Sequence, residues 1–170
     1  MWDYIDKVFE GYPAETKIVQ KMIKIGISVK ILYDEPKLFC DAIEIKPNSI
    51  ARAFNVDRRV VVNLIKKIID DNKLFAFFSN LEPISNFENS GSKIGFGVIE
   101  IIPVDASKPG IIAGVMNILA DGGISIRQVI TDDPDLIDNP RAIIVTTEPV
   151  SGEMLNKIKK VDGVKAVLLL

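Results

Sequence analysis

The chain has 170 residues, 48% hydrophobic and 26% charged, which is apolar enough to bury real cores and excludes disorder as a description of the whole. There is no histidine and a single cysteine, Cys40, so imidazole triads, His-ligated metals, intrachain disulfides and CxxC sites are all excluded. The net charge is −2, so any attraction to nucleic acid must come from a local patch.

Cys40 lacks an imidazole to activate it and reads as a small buried apolar residue on a strand rather than a nucleophile. Together with the absence of a phosphate loop or dinucleotide fingerprint, this predicts a protein that is not an enzyme and needs no cofactor. Apolar runs such as Val167-Leu168-Leu169-Leu170 fall far short of the roughly 18 residues of a spanning helix. The first residues mix Asp3 and Asp6 into the apolar stretch, unlike a secretory signal, and a cytoplasmic location is expected.

Trp2, Ile5 and Phe9 predict a short amphipathic helix. Pro13 suits a first helical turn, and Ile18, Met22 and Ile25 continue at helical spacing to Gly26. Alternation over Ile27–Tyr33 and, less regularly, Phe39–Ile45 predicts a two-stranded hairpin around Asp34-Glu35-Pro36. Helices are expected at 48–54 and 58–72, and Leu74–Phe78 fits either a short strand or the end of the helical unit. The stretch from Leu81 to Ser92, rich in Ser, Asn, Gly and Pro, reads as a linker, with the domain boundary near residue 90.

The segment from Ile50 to Leu64 has the constitution of a helix-turn-helix. Ala51 is small where two helices would cross, Asn55 tolerates a left-handed turn, and Asp57 is a natural N-cap. Ile50, Phe54, Val56, Val61 and Leu64 would fill the angle between the helices. Arg58, Arg59, Asn63 and Lys66 then fall on or near the outward side of the second helix, where base-edge and phosphate contacts are made. From Lys46 to Lys73 seven cations stand against three acids. The competing reading is a trihelical packing or dimerisation module whose basic residues are merely solvated.

Beyond the linker the pattern is β-α-β-β-α-β, with strands at 96–103, 124–130, 142–147 and 164–170 and helices at 110–120 and 151–160. This is the order of the ferredoxin-like split βαβ, so the fold class expected for the chain is α+β. Pro109-Gly110 at the mouth of a helix leaves backbone N–H groups and the positive end of a helix dipole facing the loop, which suits a carboxylate or phosphate. The acidic stretch Thr131–Pro140 lacks the glycine and distal Glu of a calcium loop and reads as a solvated hairpin connection, with no metal site expected.

The Asp105…Pro109-Gly110 loop, the Gly122-Gly123-Ile124-Ser125-Ile126 turn and the βαββαβ order over about residues 95–170 resemble an ACT domain, the small regulatory module that binds amino acids. The resemblance implies a homodimer with an amino acid, or a similar small anionic effector, held between paired domains. It sets Asp105, Pro109, Gly110 and Ile111 of one loop against Gly123, Ile124 and Ser125 across that interface. Ala106, Ser107 and Lys108 separate Asp105 from Pro109, a longer spacing than the tight Asp-x-Pro-Gly of the family. With Gly11-Tyr12-Pro13-Ala14, Ile43-Glu44-Ile45 and Val56–Val61, the whole chain resembles archaeal proteins that join a helix-turn-helix to an ACT domain. Those are regarded as regulators of amino-acid metabolism, with homoserine dehydrogenase named as a target, so DNA and an amino-acid biosynthetic enzyme are the implied partners.

Overall fold

Apolar spacing at the chain start folds as α1 (Trp2–Phe9), which buries Ile5 and Phe9 in a computed structural model describing residues 1–170. In α2 (Pro13–Ile25) the proline occupies the first turn, and Gly26 ends the helix at φ +69°, its N–H turned back to the carbonyls of Ile23 and Met22. Gly26 is constrained twice, since a Cβ there would lie 2.2 Å from the carbonyl oxygen of Glu82. The chain therefore returns to pack backbone against backbone at this point.

The predicted hairpin is in fact a three-stranded antiparallel sheet of β1 (Ile27–Leu32), β2 (Glu35–Cys40) and β3 (Ile43–Ile45), in that order. Tyr33 and Asp34, both at positive φ, make the first two-residue turn. Asp41, at φ +55°, opens a second turn inside the alternating run Phe39–Ile45, which is therefore two strands and not one.

Next come α3 (Pro47–Phe54) and α4 (Arg58–Asp70), joined by a three-residue turn in which Asn55 is left-handed (φ +52°). Asp57 caps α4 by accepting from the Arg59 N–H. Leu74–Phe78, left open in sequence, belongs to a separate helix, α5 (Asn72–Phe78). Its cap Asp71 accepts from the N–H groups of Lys73 and Leu74 and also from the Tyr4 hydroxyl, which ties α1 to the start of α5. Ile18, Met22, Leu38, Leu64, Ile68 and Phe78 are buried in one core beneath these helices and the sheet.

The chain divides into two compact units, Met1–Ser85 and Asn86–Leu170. Residues 86–92, part of the stretch expected to link the domains, thus belong to the second unit. That unit contains β4 (Gly97–Pro103), α6 (Ile111–Asp121), β5 (Ile126–Thr131), β6 (Ala142–Thr146), α7 (Gly152–Ile158) and β7 (Val164–Leu169). The strands pair antiparallel in the order β5-β6-β4-β7, the arrangement of a ferredoxin-like βαββαβ domain. Ile99, Ile101 and Ile144 pack with Val115 and Leu119 of α6, while Val98, Ile143 and Val145 form a smaller cluster with Phe96. No helix of the chain is long and apolar enough to cross a membrane.

Candidate functional site

Beyond Pro103 the chain leaves the sheet and makes a tight loop. The Val104 N–H donates to the Gly163 carbonyl at 2.8 Å. Asp105 Oδ1 accepts from the Ser107 hydroxyl at 2.6 Å and from the Ser107 N–H at 2.9 Å. Those two bonds, the hydroxyl foremost, hold the Asp105 carboxyl below the usual carboxylate range. Lys108 pairs with Asp162 at 2.8 Å. Gly110 then caps α6 at φ +95°, a conformation that costs glycine nothing, with no side-chain cap bond to cover the first turn.

The loop and the first turn of α6 border a cavity of about 600 Å³. Ile101, Pro103, Ile111, Ile112 and Ala142 supply its apolar lining, and Thr131, Asp132, Asp133, Pro134 and Arg141 stand on it from the β5–β6 side. The N–H groups of a first helical turn have no partner within the helix, and with the dipole they favour an anion. Asp132 and Asp133 supply the opposite preference within the same cavity. No three Asp, Glu or Cys side chains converge as a metal-ligand set.

Of the residues expected to bind a ligand, Pro109, Gly110 and Ile111 line this cavity. Asp105 does not, being held within its own loop by Ser107. Gly123, Ile124 and Ser125 lie beyond the other end of α6, whose 11 residues span about 16 Å. The N–H groups of Gly122, Gly123 and Ile124 bond to the Ile118, Ala120 and Leu119 carbonyls, and the Ser125 carbonyl accepts from the Thr147 N–H. The fold of one chain thus keeps the two predicted half-sites apart and engages the second in closing a helix.

Sequence reasoning missed Arg141 and the acids near it. The guanidinium reaches Glu88 at 2.7 Å, Glu100 at 3.2 Å and Asp132 at 3.8 Å. Burial works against its charge, but Glu100 and Glu88 outweigh that and raise its pKa above the ordinary arginine value. The available signal was a lone arginine at the mouth of the wholly apolar run Ala142–Val145, next to a loop rich in aspartate.

On α4 the exposed residues Arg59, Asn63 and Lys66 recur at helical spacing along one side, with Arg58 exposed beside them. Arg59 is already engaged, its Nε 3.0 Å from Asp57 Oδ1 and an Nη 3.2 Å from Oδ2. The pairing lowers the Asp57 pKa and raises that of Arg59. Lys67 turns inward to Glu15 at 2.6 Å. The excess of cations counted in the sequence is therefore smaller at the surface.

No protein-family model matches the chain, and no curated protein matches it. Among solved structures, the ACT domain from the GTP pyrophosphokinase of Chlorobium tepidum is similar over 45% of this chain and 97% of that one, with 18% identity and a TM-score of 0.34. The crystal structure of PH0061 is similar over 92% of this chain and 90% of that one, with 14% identity and a TM-score of 0.29. At those scores neither likeness bears on the fold, which rests on the strand order itself.

Proposed function

We propose that the chain is an amino-acid-responsive regulator of amino-acid metabolism. Its C-terminal half acts as an ACT-type sensor of a small effector, working as a homodimer, and its N-terminal helix-turn-helix binds DNA. The observation that carries the reading is the cavity of about 600 Å³ onto which the first turn of α6 opens. A free amino acid brings a carboxylate suited to those N–H groups and an ammonium suited to Asp132 and Asp133. The lack of histidine and of a phosphate-loop or dinucleotide fingerprint in the sequence favours a regulatory over a catalytic role.

The second reading is an allosteric accessory subunit, without DNA, of an amino-acid biosynthetic enzyme such as homoserine dehydrogenase. The engagement of Arg59 by Asp57 and of Lys67 by Glu15 supports it, because both cations are then less available to phosphates.

A thermal-shift screen against the common amino acids and several sugar phosphates tests the sensing role. A specific ligand at 100 times its Kd should stabilise the fold by about 2.7 kcal/mol. Gly110→Val places a branched residue at φ +95° in the loop, and calorimetry should then find weaker binding with the fold retained. Unchanged affinity would put the site elsewhere, and a screen without any stabilising amino acid would overturn the sensing role.

A further inference from the structure

Aspartate precedes glycine twice in the chain, at Asp121-Gly122 and at Asp162-Gly163. An aspartyl carboxyl carbon lies within reach of the next amide nitrogen, and glycine puts no side chain in the way. The fold treats the two pairs differently. Gly122 closes α6 in the right-handed region, and its N–H is held by the carbonyls of Ile118 and Ala120. The Met154 methyl fills the place where a Cβ on Gly122 would stand. Gly163 instead lies in the turn between α7 and β7, at φ +89° and outside both elements. Its N–H faces the Asp162 carboxylate, and that side chain is 90% exposed.

This turn anchors the loop Val104–Ile111. The Gly163 carbonyl accepts from the Val104 N–H at 2.8 Å, and Asp162 pairs with Lys108 at 2.8 Å. Gly163 also packs so closely that a Cβ would lie 2.9 Å from the Ile111 side chain. We propose that Asp162-Gly163 is a site of spontaneous isoaspartate formation, and that the modification releases the loop. The Gly163 nitrogen attacks the Asp162 carboxyl carbon, so that a C–N bond forms and the C–OH bond breaks. The amide proton and the hydroxyl leave as water, and a five-membered imide remains. A second water then opens the ring at either carbonyl, with no change of oxidation state. One opening restores aspartate, and the other routes the main chain through the former side-chain carbon. The Lys108 ammonium, foremost, holds the Asp162 carboxyl below the usual carboxylate range. The departing oxygen must be protonated, so this pairing slows the step without blocking it. The product carries one extra main-chain carbon, and its free carboxylate is moved to the α-carbon. Partners set for Val104 and Lys108 then no longer fall in place together. The chemistry goes beyond the sensing role and does not rest on it.

The full chain is aged at physiological temperature and neutral pH, and isoaspartate is counted by enzymatic methyl transfer to its free carboxylate. Fragmentation mass spectrometry assigns the site. Peptides carrying Asp162 should take up about fivefold more label than those carrying Asp121, the factor that one helix-closing hydrogen bond is worth. Asp162→Glu, which would need a six-membered ring, should abolish the label at that position. Asp162→Asn and Asp121→Asn give a faster reading, because each reaches the same imide by expelling ammonia and is followed by the mass change. The first should deamidate several-fold faster than the second. In the isoaspartyl fraction, separated by chromatography, hydrogen exchange at the Val104 N–H should speed while the Leu119 amide within α6 stays unchanged. Equal or reversed rates at the two positions overturn the site, and unchanged Val104 exchange overturns release of the loop. A failed amino-acid screen would remove the sensing role and leave these results standing.

Discussion

Lys67 carries its charge inward, across a helix interface. Its ammonium is 2.6 Å from a Glu15 carboxylate that is only 8% exposed, and it lies 3.2 Å from the centroid of the Tyr12 ring. Glu15 on α2 and Lys67 on α4 thereby lock two helices with one ion pair. Lys67→Ala should lower stability by about 2–3 kcal/mol, because the carboxylate remains behind without its partner. Lys67→Ala combined with Glu15→Ala should cost less than the sum of the two single changes. Urea denaturation measures both, and additive losses would mean that the two groups do not depend on each other. Nothing in the sequence marks the pair, since 52 positions separate the partners and helical periodicity does not say which element packs opposite. Asn55 and Asp57 were legible for the opposite reason, because a left-handed turn and an N-cap are decided within a few residues.

The proposed DNA binding would rest on the exposed side of α4. Arg58 is free of the cap pairing that holds Arg59, so Arg58→Ala should weaken duplex binding more than Arg59→Ala. A lost base contact would cost about 1–3 kcal/mol, whereas a lost phosphate contact would weaken all sequences alike and flatten the salt dependence. Selection from random duplexes at low salt, with candidate amino acids present, followed by binding of the two variants, decides the matter. No enriched sequence, with residual binding indifferent to both arginines, would favour the accessory-subunit reading. At this scale the helices other than α5 could be read from apolar spacing and caps. The third strand could not, because the turn at Asp41 interrupts a run that still alternates well enough to pass for one strand.

Across the C-terminal unit, β5 and β7 are left as edges, and exposed apolar residues lie along both, Val129 on the first and Leu168 and Leu169 on the second. Pairing an edge with a second copy would satisfy its backbone groups, so the chain should run as a homodimer in light scattering at micromolar concentration. A monomer there would sink the dimeric form of the sensor. The succession of helices and strands was enough to foresee the βαββαβ order. The cavity was not foreseen, because it joins residues 101–113 to residues 131–142 and exists only once β6 has paired between β5 and β4.

The close approach at Gly26 bears on how the protein is made. The N-terminal half leaves the ribosome first, yet Gly26 must wait for Glu82 and Pro83 before the returning backbone can seat against it. At about 5–20 residues per second that partner is polymerised roughly 3–11 s later. During that interval the first helices and the three-stranded sheet are present without the strand of chain that closes over them. Translation has therefore nearly reached the second unit before the first can take its final form.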